Sequence, residues 1–489
     1  MPVDVATALG AWSAAEGPLH RKLADGLVAA IERGDLGPGE RLPAERTLAR
    51  TLAVSRSTVV AAYDHLRGQG WLESRQGSGT RVRWTTPVST SASGRATIPG
   101  GSGDVIFRRL MMEGQGAVIS LAAAIVPGTP IVAEAAGAFT AEELTDMVSG
   151  SGYVPLGLPQ LRREIAAFLS RTGLPTVPEQ ILVTAGAQQA ISLAAALLVR
   201  PGDAVLVENP SFSGCLDALR AAGARLVPTP IDDDGVDVDT VEHLADRHNP
   251  AAVYLMPSFH NPTGVLLAES RRRRLARFAA ERSLPVIEDN ALQHARFGTV
   301  DPPPPIAAYG DAGAPILSIG SLSKVLWAGL RVGWVRADEA MIGRLGHCKA
   351  VHDLGSPVFT QAVAARLLPR MEDVQEQRRR ELTAHLQRAT ALLREHVPDW
   401  TWRPPEGGLA LWVKLPSGDG GEFCQVGLRH GVEVVPGVTM SPDGSFADHL
   451  RLALVEPPLL DEAIARLGRA WTAYAPTDTV PRPQLRVIV

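Results

Sequence analysis

The chain has 489 residues, of which 45% are hydrophobic and 20% are charged, and its formal net charge is −4. A chain of this length exceeds one ordinary hydrophobic core, so we expect two or more domains. The composition is typical of a globular protein; its charge alone does not indicate nucleic-acid binding, and no run of about 20 uninterrupted apolar residues predicts a membrane span.

The first residues and the cysteines bear on location and on metal binding. Residues 1–16 lack the basic start and apolar run of a secretory signal. The three cysteines, Cys215, Cys348 and Cys424, lie far apart, and no pair has the spacing of metal ligands. We therefore expect a cytoplasmic protein with neither a disulfide framework nor a metal site.

Residues 18–84 are more basic than the rest of the chain. This segment has eleven Lys and Arg against seven Asp and Glu, a net charge of +4, which leaves −8 for the other residues. A basic first region followed by an acidic body suits a protein that binds a nucleic acid with one part and a small molecule with the other. An excess this small is weak evidence when it stands alone.

The same segment predicts three helices followed by a hairpin. The first helix, within residues 20–36, carries apolar residues along one face. A second helix follows Pro43, and Ser55 is well placed as the N-cap of a third. The third helix carries a stripe of four core residues, Val59, Ala62, Tyr63 and Leu66. Residues 71–84 then predict two short strands joined by a Gly-rich turn.

This order of elements closely resembles the DNA-binding domain of the GntR family, through the segments PLHRKLADGLVAAIERGDLGPGERLPAER, VSRSTVVAAYDHLRGQGWL and RQGSGTRV. The resemblance implies a winged helix-turn-helix that binds double-stranded DNA. By the same resemblance Arg46 on the second helix contacts a phosphate or a guanine edge. The start of the recognition helix and the tip of the wing supply the other DNA-binding residues, Arg56, Ser57, Thr58, Gln76 and Gly77.

The remaining chain predicts a linker and a large α/β domain. Few large apolar side chains and many Ser, Thr, Gly and Pro follow the hairpin, so we expect a flexible linker over residues 85–115. Five β-rich runs then alternate with helical segments: ILVTA, AVLVE, AAVYLM, LPVIED and PILSIGS. They predict buried parallel strands in a three-layer α/β/α domain over 116–476. Its part from about 337 onward predicts a smaller α+β subdomain, and residues 477–489 form a tail.

The segment SLSKVLWAGLRVGW predicts a reactive lysine. Lys324 follows a predicted strand, and an amine buried there has a lowered pKa, which makes it nucleophilic. Such an amine suits a Schiff base with an aldehyde cofactor that carries a phosphate. The hydroxyls of Ser321 and Ser323 and the guanidinium of Arg331 can hold the phosphate oxygens.

Four other segments supply groups for the same cofactor. Asp289 ends the strand VIED and suits a pyridinium nitrogen, and Asn261 in the turn NPTG can donate to a phenolate oxygen. Phe212 can stack on a ring. The helix that begins after TAG directs backbone N–H groups at a phosphate through Gly186, Ala187 and Gln188.

These five segments, in this order, resemble the fold-type I pyridoxal phosphate enzymes of the aminotransferase class. Together with the GntR-like head they resemble the MocR subfamily of transcription regulators. The resemblance implies a Schiff base between pyridoxal 5′-phosphate and Lys324, with the ring and phosphate contacts given above. It also implies that Tyr153 reaches the phosphate of a neighbouring subunit and that Arg451 binds a substrate carboxylate.

The sequence departs from that class at one place. A tyrosine usually follows the aspartate by two or three positions, and here those positions hold Ala291 and Leu292. Without that phenol the 3-oxygen loses one of two donors, which should raise the pKa of the Schiff base. Cofactor binding should survive while transamination slows, so a sensor is favoured over a fast enzyme.

Three functions stay open at this point. The first is a regulator that senses an amino compound, the second is a regulator for which pyridoxal phosphate is itself the signal, and the third is an active aminotransferase with a DNA-binding head. We expect a homodimer, because Tyr153 would act across subunits and operators for such heads have repeated half-sites. The arginine run 271–274 is expected to form a solvated helix face.

Overall fold

The computed structural model of the chain describes residues 5–10, 12–14, 17–75, 79–83, 118–299, 301–311 and 313–474. The predicted linker, the predicted tail and the wing-tip residues Gln76 and Gly77 lie outside these ranges. Among the described helices, none combines the length and the apolar character that a membrane crossing needs.

The described residues between 5 and 83 fold around a hydrophobic core of their own. Their helices and strands are α1 (Val5–Leu9), α2 (Leu19–Glu32), α3 (Glu45–Thr51), α4 (Arg56–Gly68), β1 (Leu72–Arg75) and β2 (Gly79–Val82). The two strands pair antiparallel. The Oγ atom of Ser55 accepts a hydrogen bond from the backbone N–H of Thr58 at 3.1 Å, which is the predicted N-cap. The four residues predicted as the core stripe of α4 are all buried, and the winged helix-turn-helix is confirmed.

An eight-stranded sheet forms the centre of the large domain. Its strands in chain order are β4 (Ile181–Thr184), β5 (Ala204–Asn209), β6 (Arg225–Asp232), β7 (Gly235–Val236), β8 (Ala252–Leu255), β9 (Val286–Asp289), β10 (Ile316–Ser321) and β11 (Gly333–Arg336). Their order across the sheet is β4-β11-β10-β9-β8-β5-β6-β7. The five strands from β10 to β6 are mutually parallel, whereas β11 runs antiparallel to both of its neighbours.

Alternate residues of these strands enter two different hydrophobic cores, as the two-residue period of a strand requires. On β5, Val205 and Val207 belong to one core, while Ala204 and Leu206 belong to the other. Both faces of the sheet are therefore covered, and the predicted three-layer architecture is confirmed. The helices of the large domain are α5 (Pro130–Gly137), α6 (Ala141–Ser149), α7 (Pro159–Arg171), α8 (Ala187–Leu198), α9 (Ser213–Ala221), α10 (Val238–His248), α11 (Glu269–Arg282), α12 (Glu339–Asp353) and α13 (Val358–Leu367).

A smaller sheet and three helices form the small subdomain. Its elements are α14 (Met371–His396), β12 (Thr401–Trp402), β13 (Ala410–Lys414), α15 (Gly420–Arg429), β14 (Val432–Glu433), β15 (Val435–Pro436), β16 (His449–Ala453) and α16 (Leu459–Ala473). The sheet order is β12-β13-β16-β15. The short strand β3 (Ile119–Ser120) pairs in parallel with β14, so the first described residues after the linker belong to this subdomain.

One strand and one arginine differ from what the sequence indicates. The sequence analysis did not predict strand β6, because Pro228 and Pro230 lack backbone N–H donors and are unusual within a strand. Strand β6 nevertheless pairs with β5 over six residues. The prediction of a solvated face for residues 271–274 is wrong for Arg272. This residue is fully buried and donates to the backbone oxygens of Leu267, Pro257 and Pro304.

Replacing Arg272 with Met should destabilise the large domain by about 2–4 kcal/mol, because buried carbonyl oxygens lose their donors. Thermal unfolding followed by calorimetry measures the change. Arg277→Ala, on an exposed position of the same helix, serves as the control and should change stability by less than about 0.5 kcal/mol. Equal melting temperatures for both variants would contradict a structural role for Arg272.

Candidate functional site

The carboxyl ends of the parallel strands open onto a cleft between the large sheet and the small subdomain. This cleft is part of a cavity of about 2550 Å³ that extends to the head at Arg50 and Thr51. Ten of the twelve residues that the sequence predicts for the cofactor and its ligand line this cleft: Ala187, Gln188, Phe212, Asn261, Asp289, Ser321, Ser323, Lys324, Arg331 and Arg451. Gly186 lies directly beside it at the start of α8. Tyr153 does not line the cleft of its own chain.

Lys324 is half-buried at the wall of the cleft, three residues after the end of β10. Its Nζ atom donates to the backbone oxygen of Ala124 at 2.8 Å. Burial and the positive charge of Arg451 lower the pKa of Lys324 to about 8, although the charge of Asp289 opposes the change. The neutral fraction of the amine near physiological pH is therefore far larger than that of an ordinary lysine, and this neutral fraction can act as a nucleophile.

Asp289 is buried at the end of β9, and both of its carboxylate oxygens have donors. Oδ2 accepts from the phenol of Tyr254 at 2.8 Å, and Oδ1 accepts from the backbone N–H of Ala291 at 2.9 Å. Burial raises the pKa of Asp289, while these two donors and the charge of Lys324 oppose the rise. The carboxylate is thus held in one orientation toward the cleft.

Tyr254 is a site residue that the sequence analysis missed. It lies on the neighbouring strand β8 and is fully buried, and a buried phenol needs a hydrogen-bond partner. The available signal was a tyrosine within the otherwise apolar run AAVYLM, which implies a polar group nearby in the core. The sequence alone does not identify that group, because Asp289 becomes a neighbour of Tyr254 only through the pairing of β8 with β9.

A second buried pair lies behind Asp289. Oε2 of Glu208 accepts from the backbone N–H of Met256 at 2.7 Å and lies 3.5 Å from Nε2 of His260. Burial raises the pKa of Glu208 to about 8 and lowers the pKa of His260 to about 3. At neutral pH both side chains are therefore mainly uncharged, with the proton on the carboxyl group.

Donors and small residues converge where β4 leads into α8. Gly186 has φ +87°, and a Cβ atom there would lie 3.0 Å from Nη2 of Arg331. Arg331 in turn donates to the backbone oxygen of Ala185. The hydroxyl of Ser323 is buried and has no hydrogen-bond partner among the described residues, and its backbone N–H donates to Oγ of Ser321 at 3.2 Å. Such an arrangement at a helix N-terminus is suited to an anion.

Three further cleft residues have different surroundings. The side chain of Gln188 donates to the backbone oxygen of Gly214 at 2.8 Å and so fixes the start of α9. Phe212 is half-buried as the residue before α9, and its ring packs so closely on Gly214 that a Cβ there would lie 2.5 Å from it. Asn261 is half-buried in the predicted turn.

Arg451 lines the cleft, whereas Tyr153 lies outside it. Arg451 is buried on β16, opposite Trp412 of β13, and its charge acts on the pKa of Lys324 from the small-subdomain side of the cleft. Tyr153 is 67% exposed, and several other apolar side chains of the same domain are exposed as well. These are Val148, Trp327, Val351, Leu354 and Phe359.

The predicted DNA-binding residues of the head lie on its surface. Arg46, Arg56 and Ser57 are exposed, and Thr58 is half-buried at the first turn of α4. Nη2 of Arg56 lies 3.1 Å from Oε2 of Glu45, and Oγ of Ser55 contacts the hydroxyls of Ser57 and Thr58. The start of α4 therefore has an ordered set of polar groups at the positive end of the helix dipole.

Two family models match the chain. "Aminotransferase class I and II" matches residues 118–467, and "Bacterial regulatory proteins, gntR family" matches residues 19–82. The "Probable rhizopine catabolism regulatory protein MocR" of Rhizobium meliloti is 31% identical over 96% of both chains. The "Uncharacterized HTH-type transcriptional regulator YisV" of Bacillus subtilis is 32% identical over 89% of this chain and 92% of that one. A 2-aminoadipate transaminase of Thermus thermophilus is 35% identical over 65% of this chain and 79% of that one.

Solved structures are similar over the large domain and small subdomain. The α-aminoadipate aminotransferase LysN of Thermus thermophilus, in complex with N-(5′-phosphopyridoxyl)-L-leucine, is 30% identical with a TM-score of 0.66. The match covers 74% of this chain and 94% of that one. A Pyrococcus horikoshii kynurenine aminotransferase in complex with PMP is 26% identical with a TM-score of 0.67, covering 78% and 95%.

The lowered pKa of Lys324 predicts an unusual pH dependence of its reactivity. In the protein freed of small ligands, acylation of Lys324 should reach its half-maximal rate near pH 8, because the neutral fraction rises through that pKa. Peptide mass spectrometry after brief labelling measures the rate. The unfolded chain, in which lysines have an ordinary pKa of about 10.4, is the reference. Arg451→Met should move the midpoint upward because it removes a repelling charge. A midpoint equal to that of the unfolded chain would contradict the burial of this amine.

Proposed function

Since this chain belongs to the class I and II aminotransferase family and joins that domain to a GntR DNA-binding domain, we propose that its cofactor site controls its binding to DNA. The family makes it a GntR-type regulator with an aminotransferase-like domain, and its cofactor is pyridoxal phosphate. The signal is either an amino compound that reacts at the cofactor or the cofactor itself.

The residues of the cleft fit this cofactor. When bound, pyridoxal phosphate supplies an aldehyde that condenses with amines and a ring that withdraws electrons. We assign covalent attachment to the amine of Lys324, the ring nitrogen to the carboxylate of Asp289 and the 3-oxygen to Asn261. Phe212 stacks on the ring. The support is a nucleophilic amine and a buried, doubly anchored carboxylate on one cleft.

The observation that carries the proposal is the buried hydroxyl of Ser323, which lines the same cavity as the start of α8 and has no hydrogen-bond partner in the described part of the chain. A buried hydroxyl without a partner costs free energy, and a phosphate oxygen would remove that cost. The backbone N–H groups at the start of α8 and the guanidinium of Arg331 add positive charge at the same place. We therefore assign the phosphate to Gly186, Ala187, Gln188, Ser321, Ser323 and Arg331.

We propose that Arg451 binds the carboxylate of an amino-acid signal, because a guanidinium forms paired hydrogen bonds with that group.

The absence of a tyrosine after Asp289 favours sensing of a ligand over catalytic turnover. Ala291 and Leu292 are both buried and apolar, and the phenol nearest to Asp289, that of Tyr254, donates to its carboxylate. The 3-oxygen then relies on Asn261, so proton transfer at the cofactor is expected to be slow.

An active aminotransferase with a DNA-binding head is the second candidate. It is favoured by the 35% identity to a protein named 2-aminoadipate transaminase and by the presence of both Lys324 and Arg451 in the cleft. Steady production of a keto acid from an amino donor would establish it. A stable adduct without keto-acid release would support the sensor instead.

We propose that a homodimer binds an operator with repeated half-sites. Tyr153 and several other apolar side chains of the domain are exposed, and a second copy that covered them would allow Tyr153 to reach the partner's phosphate. In each head, Arg46 contacts the DNA together with the start of α4 and the wing tip, which supply Arg56, Ser57, Thr58, Gln76 and Gly77.

The proposed domain boundaries are 1–84 for the head, 85–115 for the linker, 116–476 for the aminotransferase-like domain and 477–489 for the tail. Within this domain we propose that the small subdomain begins with α14 at Met371, and not at the position of about 337 that the sequence indicates, because α12 and α13 pack on the large domain. Because its partner is DNA, we place the protein in the cytoplasm.

The absorption spectrum of the full-length protein with pyridoxal phosphate tests the proposal. A visible band of lysine-bound cofactor should form and should shift on titration with an amino acid that binds. Lys324→Ala should abolish the band, because the attaching amine is gone, while Lys414→Ala on the exposed face of β13 should retain it.

A second variant distinguishes binding of the cofactor from binding of the signal. Arg451→Met should keep the band but weaken the response to amino acids by about tenfold or more, because a charged hydrogen-bond partner is lost. A band that persists in Lys324→Ala, or unmodified protein without any band after added cofactor, would contradict the proposal.

A further inference from the structure

The head contacts the small subdomain through one arginine. Arg429, the last residue of α15, donates from Nη1 to the backbone oxygen of Leu52 at 2.9 Å and from Nη2 to that of Ala53 at 3.0 Å. Both oxygens belong to the turn that joins α3 to the recognition helix α4. Carbonyl groups at the end of a helix lack donors within the helix and carry its negative dipole end, so a guanidinium suits them.

The contact is covered by neighbouring groups. Arg429 is half-buried, and burial lowers the pKa of its guanidinium. Ala53 packs against the hydrophobic core of the aminotransferase-like domain, and the short helical turn Trp12–Ala14 packs against α15. Two segments of the head thus contact α15.

The docked head keeps its DNA-binding residues accessible. Arg46, Arg56 and Ser57 remain exposed while Leu52 and Ala53 are bound. The contact therefore fixes the orientation of the recognition helix and leaves the helix free to bind DNA. In a dimer, the orientation of each head sets the spacing of the half-sites that the two heads can bind together.

The same subdomain carries the residue that we assign to the signal. Helix α15 packs against β14 and β15, and β15 pairs with β16 so that Val435 lies opposite Arg451. Arg451 is directed at the cofactor cleft and Arg429 at the head. One packed body thus connects the two arginines.

We propose that the end of α15 is the docking surface of the DNA-binding head, with Arg429 as its anchor, so that head and small subdomain move as one body. A carboxylate bound at Arg451 then repositions the recognition helix together with the subdomain. The docking stands on the contacts of Arg429, whereas its link to a signal rests on the proposed function. Coupling of this kind requires that the ligand prefer one arrangement of the subdomain.

Small-angle scattering of the full-length protein tests the docking without any signal. Arg429→Ala should enlarge the radius of gyration, because the head is then held mainly by the linker. Arg429→Lys, which keeps the charge but lacks the paired donors, should give an intermediate value. Arg277→Ala, which removes an exposed arginine from α11, should leave the profile unchanged. An unchanged profile for Arg429→Ala would overturn the docking surface.

DNA affinity tests the link to the signal. For the unmodified protein with cofactor bound, an amino acid that shifts the absorption band should change the operator affinity, typically about 5–150-fold for coupled sites. In Arg429→Ala the change should fall to within about twofold, while the band and its titration stay as in the unmodified protein. Full coupling in this variant would overturn the link. Absence of coupling in the unmodified protein would instead contradict the proposed function, and the scattering result would still decide the docking.

Discussion

The burial of the Asp289 carboxylate at the carboxyl ends of the parallel strands is the constraint on which the site depends. Asp289 is almost fully buried, and its charge is offset by the phenol of Tyr254, the backbone N–H of Ala291 and the amine of Lys324. These groups come from the adjacent strands β8, β9 and β10 or from the residues that follow them. A change in strand order or register would separate the donors from the carboxylate and leave a buried charge uncompensated.

Local sequence signals predicted most of the fold and of the cleft, and distant contacts account for what they missed. Lys324, Asp289 and Asn261 each stand in a short segment whose strand end and turn can be identified alone. The partner of Tyr254 lies 35 residues away, and that of Arg429 lies 376 residues away. No repeating pattern of apolar and polar residues relates two positions so far apart in the chain. Arg272 was misjudged for the same reason, because the carbonyl groups that accept from it lie in loops outside its own helix.

Two arginines of the small subdomain are proposed to connect the binding of a signal to the binding of DNA. Arg451 lies at the cofactor cleft, and Arg429 holds the turn before the recognition helix. The hydrophobic core between them runs through the subdomain and continues onto one face of the large sheet. Because Ala291 and Leu292 stand in place of a phenol, we expect the site to hold its cofactor and to transfer protons slowly, which suits a long-lived complex with the signal more than rapid turnover.

The central claim is that events at the Lys324 amine control DNA binding. Operator affinity measured by titration at fixed salt, with and without pyridoxal phosphate and a responsive amino compound, tests it most directly. The account predicts that these ligands change the affinity of the unmodified protein and leave that of Lys324→Ala unchanged. An equal change in both proteins, or no change in either, would contradict it.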